Sequence, residues 1–267
     1  MKFFVLCGVC LAVCSASAQQ SYLGFDTNQY PGDQNLKVLR QTFSYTGFWL
    51  NNPPGENTNS WVGKRQALTS AGFGFLVLFN GRLENQLKHN AAVLGKTDAT
   101  AAIAAAKREG FSARTIIFLD IEEGGRMVPV QKAYIYAWVD AVSSSGFRAG
   151  VYCSGIPARE DKNTTIVTAD DIRDNAQGRQ IVYWVTNDVC PPSPGCTFPS
   201  RPPRPAESKI DFADIWQFAQ SPRRPDFAAQ CHNYNRDGNC YPPGISPSSH
   251  LFIDVNTANS ADPSDGR

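Results

Sequence analysis

Short apolar runs alternate with helix-like stretches along most of the chain. Apolar runs of this length, bounded by turn residues, predict buried strands, and their alternation with helices is typical of a parallel α/β fold. Eight runs fit this description: Tyr22–Thr27, Thr46–Leu50, Gly74–Phe79, Thr115–Glu122, Arg148–Tyr152, Ile181–Thr186, Asp214–Phe218 and Leu251–Val255. Eight strands with interleaved helices in about 250 residues predict a single closed (β/α)8 barrel of the TIM type.

Two of the helical stretches are especially clear. The stretch Asp98–Glu109 is rich in alanine and Val130–Ser144 is the second. Asp98 is a suitable N-cap, and Gly110 and Gly146 are natural stops. An open, doubly wound sheet is the alternative fold, but no Gly-rich phosphate-binding sequence follows the first strand to favour it.

Late in the chain, the segments 190–205 and 222–249 are rich in proline, the second also in asparagine and glycine. Neither suits a regular helix, so we interpret both as long loops after strands six and seven, at the C-terminal rim of the barrel. Two cysteine pairs bracket short stretches within these loops: Cys190 with Cys196, and Cys231 with Cys240. In an exported chain, this spacing predicts two disulfides, one stapling each loop.

A zinc site is the other interpretation of these cysteines. Neither pair has the spacing of a zinc-binding pair, and His232 is the only nearby histidine, so we predict no metal. Cys153 is left over in an apolar run, where a buried, free thiol is the expected state.

The N-terminus has the pattern of an export signal. Lys2 precedes the apolar stretch Phe3–Val13, and small residues end at Ala18, where cleavage would leave Gln19 first. This stretch is too short to span a membrane, which takes about 20 apolar residues, and no other segment is apolar over such a length. We therefore expect no integral membrane segment. We therefore predict a signal peptide over 1–18, a barrel over 19–256 and a flexible tail over 257–267, in a protein secreted to the periplasm or the exterior.

The charges nearly balance, with 25 Lys and Arg against 24 Asp and Glu. This balance argues against nucleic acid or an anionic membrane as the main partner. We expect a monomer without a cofactor.

The fourth predicted strand carries the most chemical information. Side chains alternate along a strand, so Asp120 and Glu122 share one face while the aliphatic Ile117, Leu119 and Ile121 share the other. The aliphatic face should contact the helices, which places both acids inside the barrel at the C-terminal end. Two buried acids cost free energy unless they pair or react, so a structural salt bridge is the alternative to a catalytic site.

The first and last predicted strands carry acids in the same way. Asp26 lies near the end of strand one, and Asp254 alternates with Ile253 and Val255 in strand eight. These strands are neighbours in a closed barrel, so four acids converge on one rim. Crowded carboxylates raise one another's pKa, so one can stay protonated while another stays ionised, which is what glycosidic cleavage needs.

Aromatic residues end other strands: Trp49, Tyr152, Trp184 and Trp216, the last followed by Gln217. Aromatic faces stack on sugar rings and amides bind their hydroxyl groups, although core packing is the alternative for each ring taken singly. Together with the acids they predict a saccharide cleft and a polysaccharide partner.

Several of these segments resemble a known group of proteins. They are Gly24-Phe25-Asp26-Thr27, Asp98-Ala99-Thr100-Ala101-Ala102, Phe118-Leu119-Asp120-Ile121-Glu122, Gly150-Val151-Tyr152 and Trp216-Gln217. The chain is similar, from about Tyr22 to Asn256, to the glycoside hydrolase-like domain formerly called domain of unknown function 1906. That domain is related to the family 25 lysozymes of the Chalaropsis type.

The resemblance implies a (β/α)8 barrel that cleaves the muramic acid–glucosamine β-1,4 bond of peptidoglycan. By position, Glu122 matches the general acid of the lysozymes, Asp120 its partner, and Asp26 and Asp254 the acids of the first and last strands. The chain departs from the lysozymes in its two cysteine-bracketed loops and in an extra acid, Glu123.

We therefore predict a secreted glycoside hydrolase that cleaves a β-1,4 bond in peptidoglycan or a related amino-sugar polymer by general acid catalysis. An N-acetyl group of the substrate is the expected nucleophile, with Asp120 and either Asp26 or Asp254 stabilising it. A non-catalytic saccharide-binding or cell-wall-associated barrel is the alternative, since the fold does not fix the function.

Overall fold

The computed structural model describes residues 20–188, 201–220 and 239–267. The strands are β1 (Tyr22–Asp26), β2 (Tyr45–Trp49), β3 (Gly74–Asn80), β4 (Ile116–Asp120), β5 (Arg148–Ser154), β6 (Ala158–Arg159), β7 (Thr165–Ile166), β8 (Val182–Thr186), β9 (Ile215–Ala219) and β10 (Asp254–Ala258). Eight of them close into one barrel in the order β1-β10-β9-β8-β5-β4-β3-β2, and β6 and β7 form a separate hairpin. The predicted closed eight-stranded barrel is thus confirmed.

The helices of the described residues are α1 (Leu36–Leu39), α2 (Arg65–Ser70), α3 (Ala91–Glu109), α4 (Pro129–Ser144) and α5 (Thr168–Asp174). Helix α3 ends at Gly110, as predicted, but it begins well before Asp98. Asp98 is therefore an interior helix residue and not an N-cap. Its carboxylate accepts hydrogen bonds from the Arg82 guanidinium at 2.7 and 2.8 Å and from the Tyr134 hydroxyl at 2.8 Å, tying α3 to α4.

The direction of the last strand differs from our expectation of an all-parallel barrel. Strand β10 pairs antiparallel with both of its neighbours, β1 and β9. Because β9 is parallel to β8 and β10 is antiparallel to β9, the chain enters β10 from the C-terminal rim. Asp254 becomes the first residue of β10 and pairs directly with Asp26, the last residue of β1.

Residues 257–267, for which we expected a flexible tail, are held in place. Thr257 and Ala258 belong to β10, and Ser264 is fully buried. Pairing of β3 with β4 begins only at Val77, which leaves the lower end of β3 without a neighbour on that side. Ser264 fills this gap, because its amide donates to the Phe75 carbonyl and its hydroxyl accepts from the Val77 amide, each at 2.9 Å.

The barrel interior alternates large and small side chains. The ring of Phe118 lies against Gly150, and the ring of Tyr45 lies against Gly24, so a β-carbon at either glycine would overlap the ring. A β-carbon at Gly47 would lie 2.7 Å from that of Asp26. The glycines of the first and fifth strands thus make room for the rings that fill the barrel below the site.

Cys153 is free and buried, as predicted. Cys240 is also buried and is not a free thiol, but Cys190, Cys196 and Cys231 lie outside the described residues. The two pairings therefore stay predictions, and so does the signal peptide over 1–18. Among the residues that the structure describes, no helix is long and apolar enough to cross a membrane.

The terminal segment predicts a measurable contribution to stability. Ser264→Ala removes the acceptor of the buried Val77 N–H, so we expect the free energy of unfolding to fall by about 1–3 kcal/mol. Urea denaturation measures the change. Ser112→Ala, at an exposed position, is the matched control and should change it by less than about 0.5 kcal/mol. If the two variants changed the free energy of unfolding equally, Ser264 would not stabilise the lower end of β3 as described.

Candidate active site

A cavity of about 790 Å³ opens at the C-terminal ends of the barrel strands. Eight of the predicted site residues line it: Asp26, Asp120, Glu122, Asp254, Trp49, Tyr152, Trp184 and Gln217. The predicted side-chain alternation therefore places Asp120 and Glu122 on the cavity side of β4 and of the residues that follow it.

Asp26 is buried at the end of β1, with 7% of its surface exposed. One oxygen, Oδ1, accepts hydrogen bonds from the Asn256 amide at 2.6 Å and the Gln217 amide at 3.1 Å. Burial raises the pKa of Asp26 to about 6, although the two amide donors oppose this and the nearby Glu122 adds to it. Asp26 is therefore ionised at neutral pH and protonated in mild acid.

Asp120 lies in a different environment at the end of β4, with 2% of its surface exposed. No N–H or hydroxyl donor of the described residues reaches its carboxyl oxygens. Its carboxyl instead interacts with that of Glu122, and two acids this close favour a proton on one of them. Burial, followed by the charge of Glu122, raises the pKa of Asp120 well above its usual range, which favours its protonated form.

Glu122 follows the end of β4 and lines the cavity. The residue as a whole is exposed to solvent, but its carboxyl group is largely buried and interacts with that of Asp120. Burial of the carboxyl raises the pKa of Glu122, and the hydrogen bond from Asp120 lowers it. The pair thus places Asp120, whose protonated form is favoured, at the bottom of the cavity, and the carboxyl of Glu122 beside the open space of the cavity.

Gln217 links Asp254, the fourth predicted acid, to Asp26 at the bottom of the cavity. Its amide nitrogen donates to Asp26 and, at 3.3 Å, to Asp254, while its carbonyl oxygen accepts from the Tyr152 hydroxyl at 2.7 Å. Asp254 is half-buried at the start of β10. Because β10 is reversed, this first residue reaches the same rim as the last residue of β1.

The aromatic residues are placed differently from the predicted stacking surfaces. Trp184 has 1% of its surface exposed, so it offers no ring face to a sugar. Trp49 is also buried, and its indole donates to the Thr27 carbonyl at 3.1 Å. Trp216 is outside the cavity, because it adjoins Gln217 on the same strand and must face the opposite side. It packs on Phe218, with ring centroids 5.6 Å apart.

Some residues of the site were missed from the sequence. Asn256 shares a strand face with Asp254, and this alternation was sufficient to place it beside the acids. Tyr30 and His250 line the cavity from irregular segments, where no periodic signal exists. The extra acid Glu123 lies outside the cavity and accepts hydrogen bonds from the Glu84 amide and the Gln131 side chain.

Within the described ranges, no group of three or more His, Cys, Asp or Glu side chains is arranged to hold a metal ion.

Comparison with known proteins gives a family match. The model of the Rv2525c-like, glycoside hydrolase-like domain matches residues 44–189, more than half of the chain. No curated protein matches the sequence.

Several solved structures are similar. An uncharacterized protein of B. stearothermophilus is 22% identical, with a TM-score of 0.58 over 89% of this chain and 95% of that one. The Tat-secreted protein Rv2525c of Mycobacterium tuberculosis is 12% identical, with a TM-score of 0.51 over 90% and 95%. A family GH25 lysozyme from Aspergillus fumigatus is 13% identical, with a TM-score of 0.49 over 90% and 95%. At these identities the first two structures show the fold alone.

The buried carboxylate of Asp26 predicts a pH-dependent effect on stability. Asp26 titrates near 3.8 in the unfolded chain and at about 6 when folded, so the folded state binds the proton more tightly and loses stability as the pH rises between these values. Asp26→Asn keeps one oxygen for both amide donors and carries no charge. We expect it to raise the free energy of unfolding by about 1–3 kcal/mol at pH 8 and by little at pH 4.

Thermal unfolding at the two pH values measures this difference. Asp211→Asn, at an exposed position, is the control and should behave alike at both. If Asp26→Asn were less stable than the wild type at pH 8, the assigned cost of the buried charge would be wrong.

Proposed function

Because the chain belongs to the Rv2525c-like, glycoside hydrolase-like family, we propose that it hydrolyses a β-1,4 glycosidic bond in peptidoglycan or a related amino-sugar polymer. The observation that carries this proposal is the different surroundings of two buried acids in one cavity. Asp26 accepts hydrogen bonds from two amides, which favour its ionised form, whereas no N–H or hydroxyl donor of the described residues reaches Asp120, which favours its protonated form.

Glu122 is the proposed general acid. A general acid must carry its proton near the working pH, and an isolated glutamic acid would have lost it. In this site, burial keeps one proton on the Asp120–Glu122 pair, which titrates as a unit. As the glycosidic oxygen gains electron density, the one proton of the pair moves from Asp120 to Glu122 and from Glu122 to that oxygen, which leaves both carboxyls ionised. The water that hydrolyses the intermediate then returns a proton to the pair through Glu122.

Asp26 is the proposed stabiliser of the positive charge that develops on the sugar. Asp120 is assigned to the proton supply of Glu122, with whose carboxyl it interacts, so Asp120 is not the nucleophile of this mechanism. An N-acetyl group of the substrate takes that role, oriented by Asp26 together with Asp254, which share the Gln217 amide.

Export and the two disulfides are also proposed. The similar mycobacterial protein is Tat-secreted, and disulfides persist in exported proteins. With Cys190 paired to Cys196 and Cys231 paired to Cys240, denatured but unreduced mature protein should contain one thiol, that of Cys153. Titration with a thiol reagent counts it, and three or more thiols would contradict the pairing.

The general acid is tested by Glu122→Gln. We expect turnover of purified cell wall to fall by about 10²–10⁴-fold, because the proton donor is lost, while binding of soluble oligosaccharides stays measurable. Release of reducing ends measures turnover. Glu123→Gln is the matched control, since it makes the same change one residue away and outside the cavity.

Undiminished turnover by Glu122→Gln would remove this residue from the mechanism. If the wild type turned over neither cell wall nor chitin but still bound their oligosaccharides, the protein would be a non-catalytic saccharide-binding barrel instead.

A further inference from the structure

A chain of hydrogen bonds runs from Trp184 on β8 to Asp26 on β1. The Trp184 indole nitrogen donates to the Asn256 carbonyl oxygen at 2.9 Å. The amide nitrogen of the same Asn256 side chain donates to Asp26 Oδ1 at 2.6 Å, the shorter of the two amide contacts of Asp26. The orientation of one buried amide therefore decides whether Asp26 meets a donor or an acceptor.

An asparagine side chain can be rotated by half a turn, which exchanges its oxygen and its nitrogen. An indole N–H is a donor only, so the atom that faces Trp184 must be an acceptor. This requirement places the carbonyl oxygen of Asn256 toward Trp184 and its NH₂ group toward Asp26. With the opposite rotation, two donors would face each other, and the amide oxygen would lie against a carboxylate.

Trp184 is itself held in one position. Its ring meets Phe118 edge-on at 5.9 Å between centroids, and Tyr152 at 4.6 Å. With 1% of its surface exposed, the ring offers no face to a sugar. Its polar atom is thus the part of the side chain that can influence the site.

We propose that Trp184 is a positioning residue that fixes the Asn256 amide so that its NH₂ group always points at Asp26. This role rests on the proposed function, in which an ionised Asp26 stabilises charge on the substrate. The second amide is held by two groups, because the Tyr152 hydroxyl at 2.7 Å and the Gln220 amide at 3.0 Å both donate to the Gln217 oxygen and leave the Gln217 NH₂ group for Asp26.

Other titratable groups also surround Asp26, so its protonation does not report on one bond alone. They are Tyr45 on β2, Asp120 on β4, Glu122 after β4, Tyr152 on β5 and Asp254 on β10. A test must leave these groups in place and change only the amide orientation.

Trp184→Phe does this, because it keeps a ring and removes the N–H group. Its matched control is Trp216→Phe, which removes an equally buried indole from the neighbouring strand, where the N–H bonds the Asn187 carbonyl at 3.2 Å outside the cavity. The measurement is the titration of the Asp26 carboxyl by NMR, assigned with Asp26→Asn. Without the indole, the Asn256 amide can rotate and accept from a protonated Asp26, which stabilises the protonated form. The Asp26 midpoint should therefore rise by about one to two pH units in Trp184→Phe and stay unchanged in Trp216→Phe.

An unchanged Asp26 midpoint in Trp184→Phe, or an equal shift in Trp184→Phe and Trp216→Phe, would overturn the proposal. The titration needs no substrate, so it is independent of whether the wild type hydrolyses a glycan. If turnover is found, the acid limb of its pH profile should move with the Asp26 midpoint in Trp184→Phe.

Discussion

The contact between the Asp26 carboxylate and the amides of Asn256 and Gln217 joins the architecture of this protein to its chemistry. These three residues come from β1, β10 and β9, the strands that close the barrel. A buried carboxylate without donors would be strongly destabilising, and two amides without acceptors would be as well. Closure of the barrel therefore satisfies all three groups at once and leaves a charged acid on the cavity floor.

The two acids at the ends of β1 and β4 differ in their neighbours and not in their burial. Both are nearly inaccessible to water, which raises the pKa of each. Asp26 meets two N–H donors, and these partly restore its ionised form. Asp120 meets only another carboxyl group, so it keeps a proton. An acid and a base at the same depth thus follow from where the barrel places amide nitrogens.

Strand alternation is a local property, which explains why the sequence predicted the inward placement of Asp120, Glu122 and Asp26. The same rule excludes Trp216 from the cleft once Gln217 faces inward, and that consequence was missed. The direction of β10 is fixed by its pairing with β1 and β9, and the order of residues 257–267 depends on a gap beside β3. Neither is visible in a local pattern, because each is decided by a distant strand.

The reversed β10 also determines on which face of the barrel the described residues begin and end. Tyr22 at the start of β1 pairs with Ala258 at the end of β10, and the residues that follow Ala258 pack against the first residues of β3. Both ends of the described barrel therefore emerge on the face opposite the cavity. A protein immobilised on a solid support through either end would present the cavity outward, so a bulky, insoluble polymer would meet it without interference from the tether.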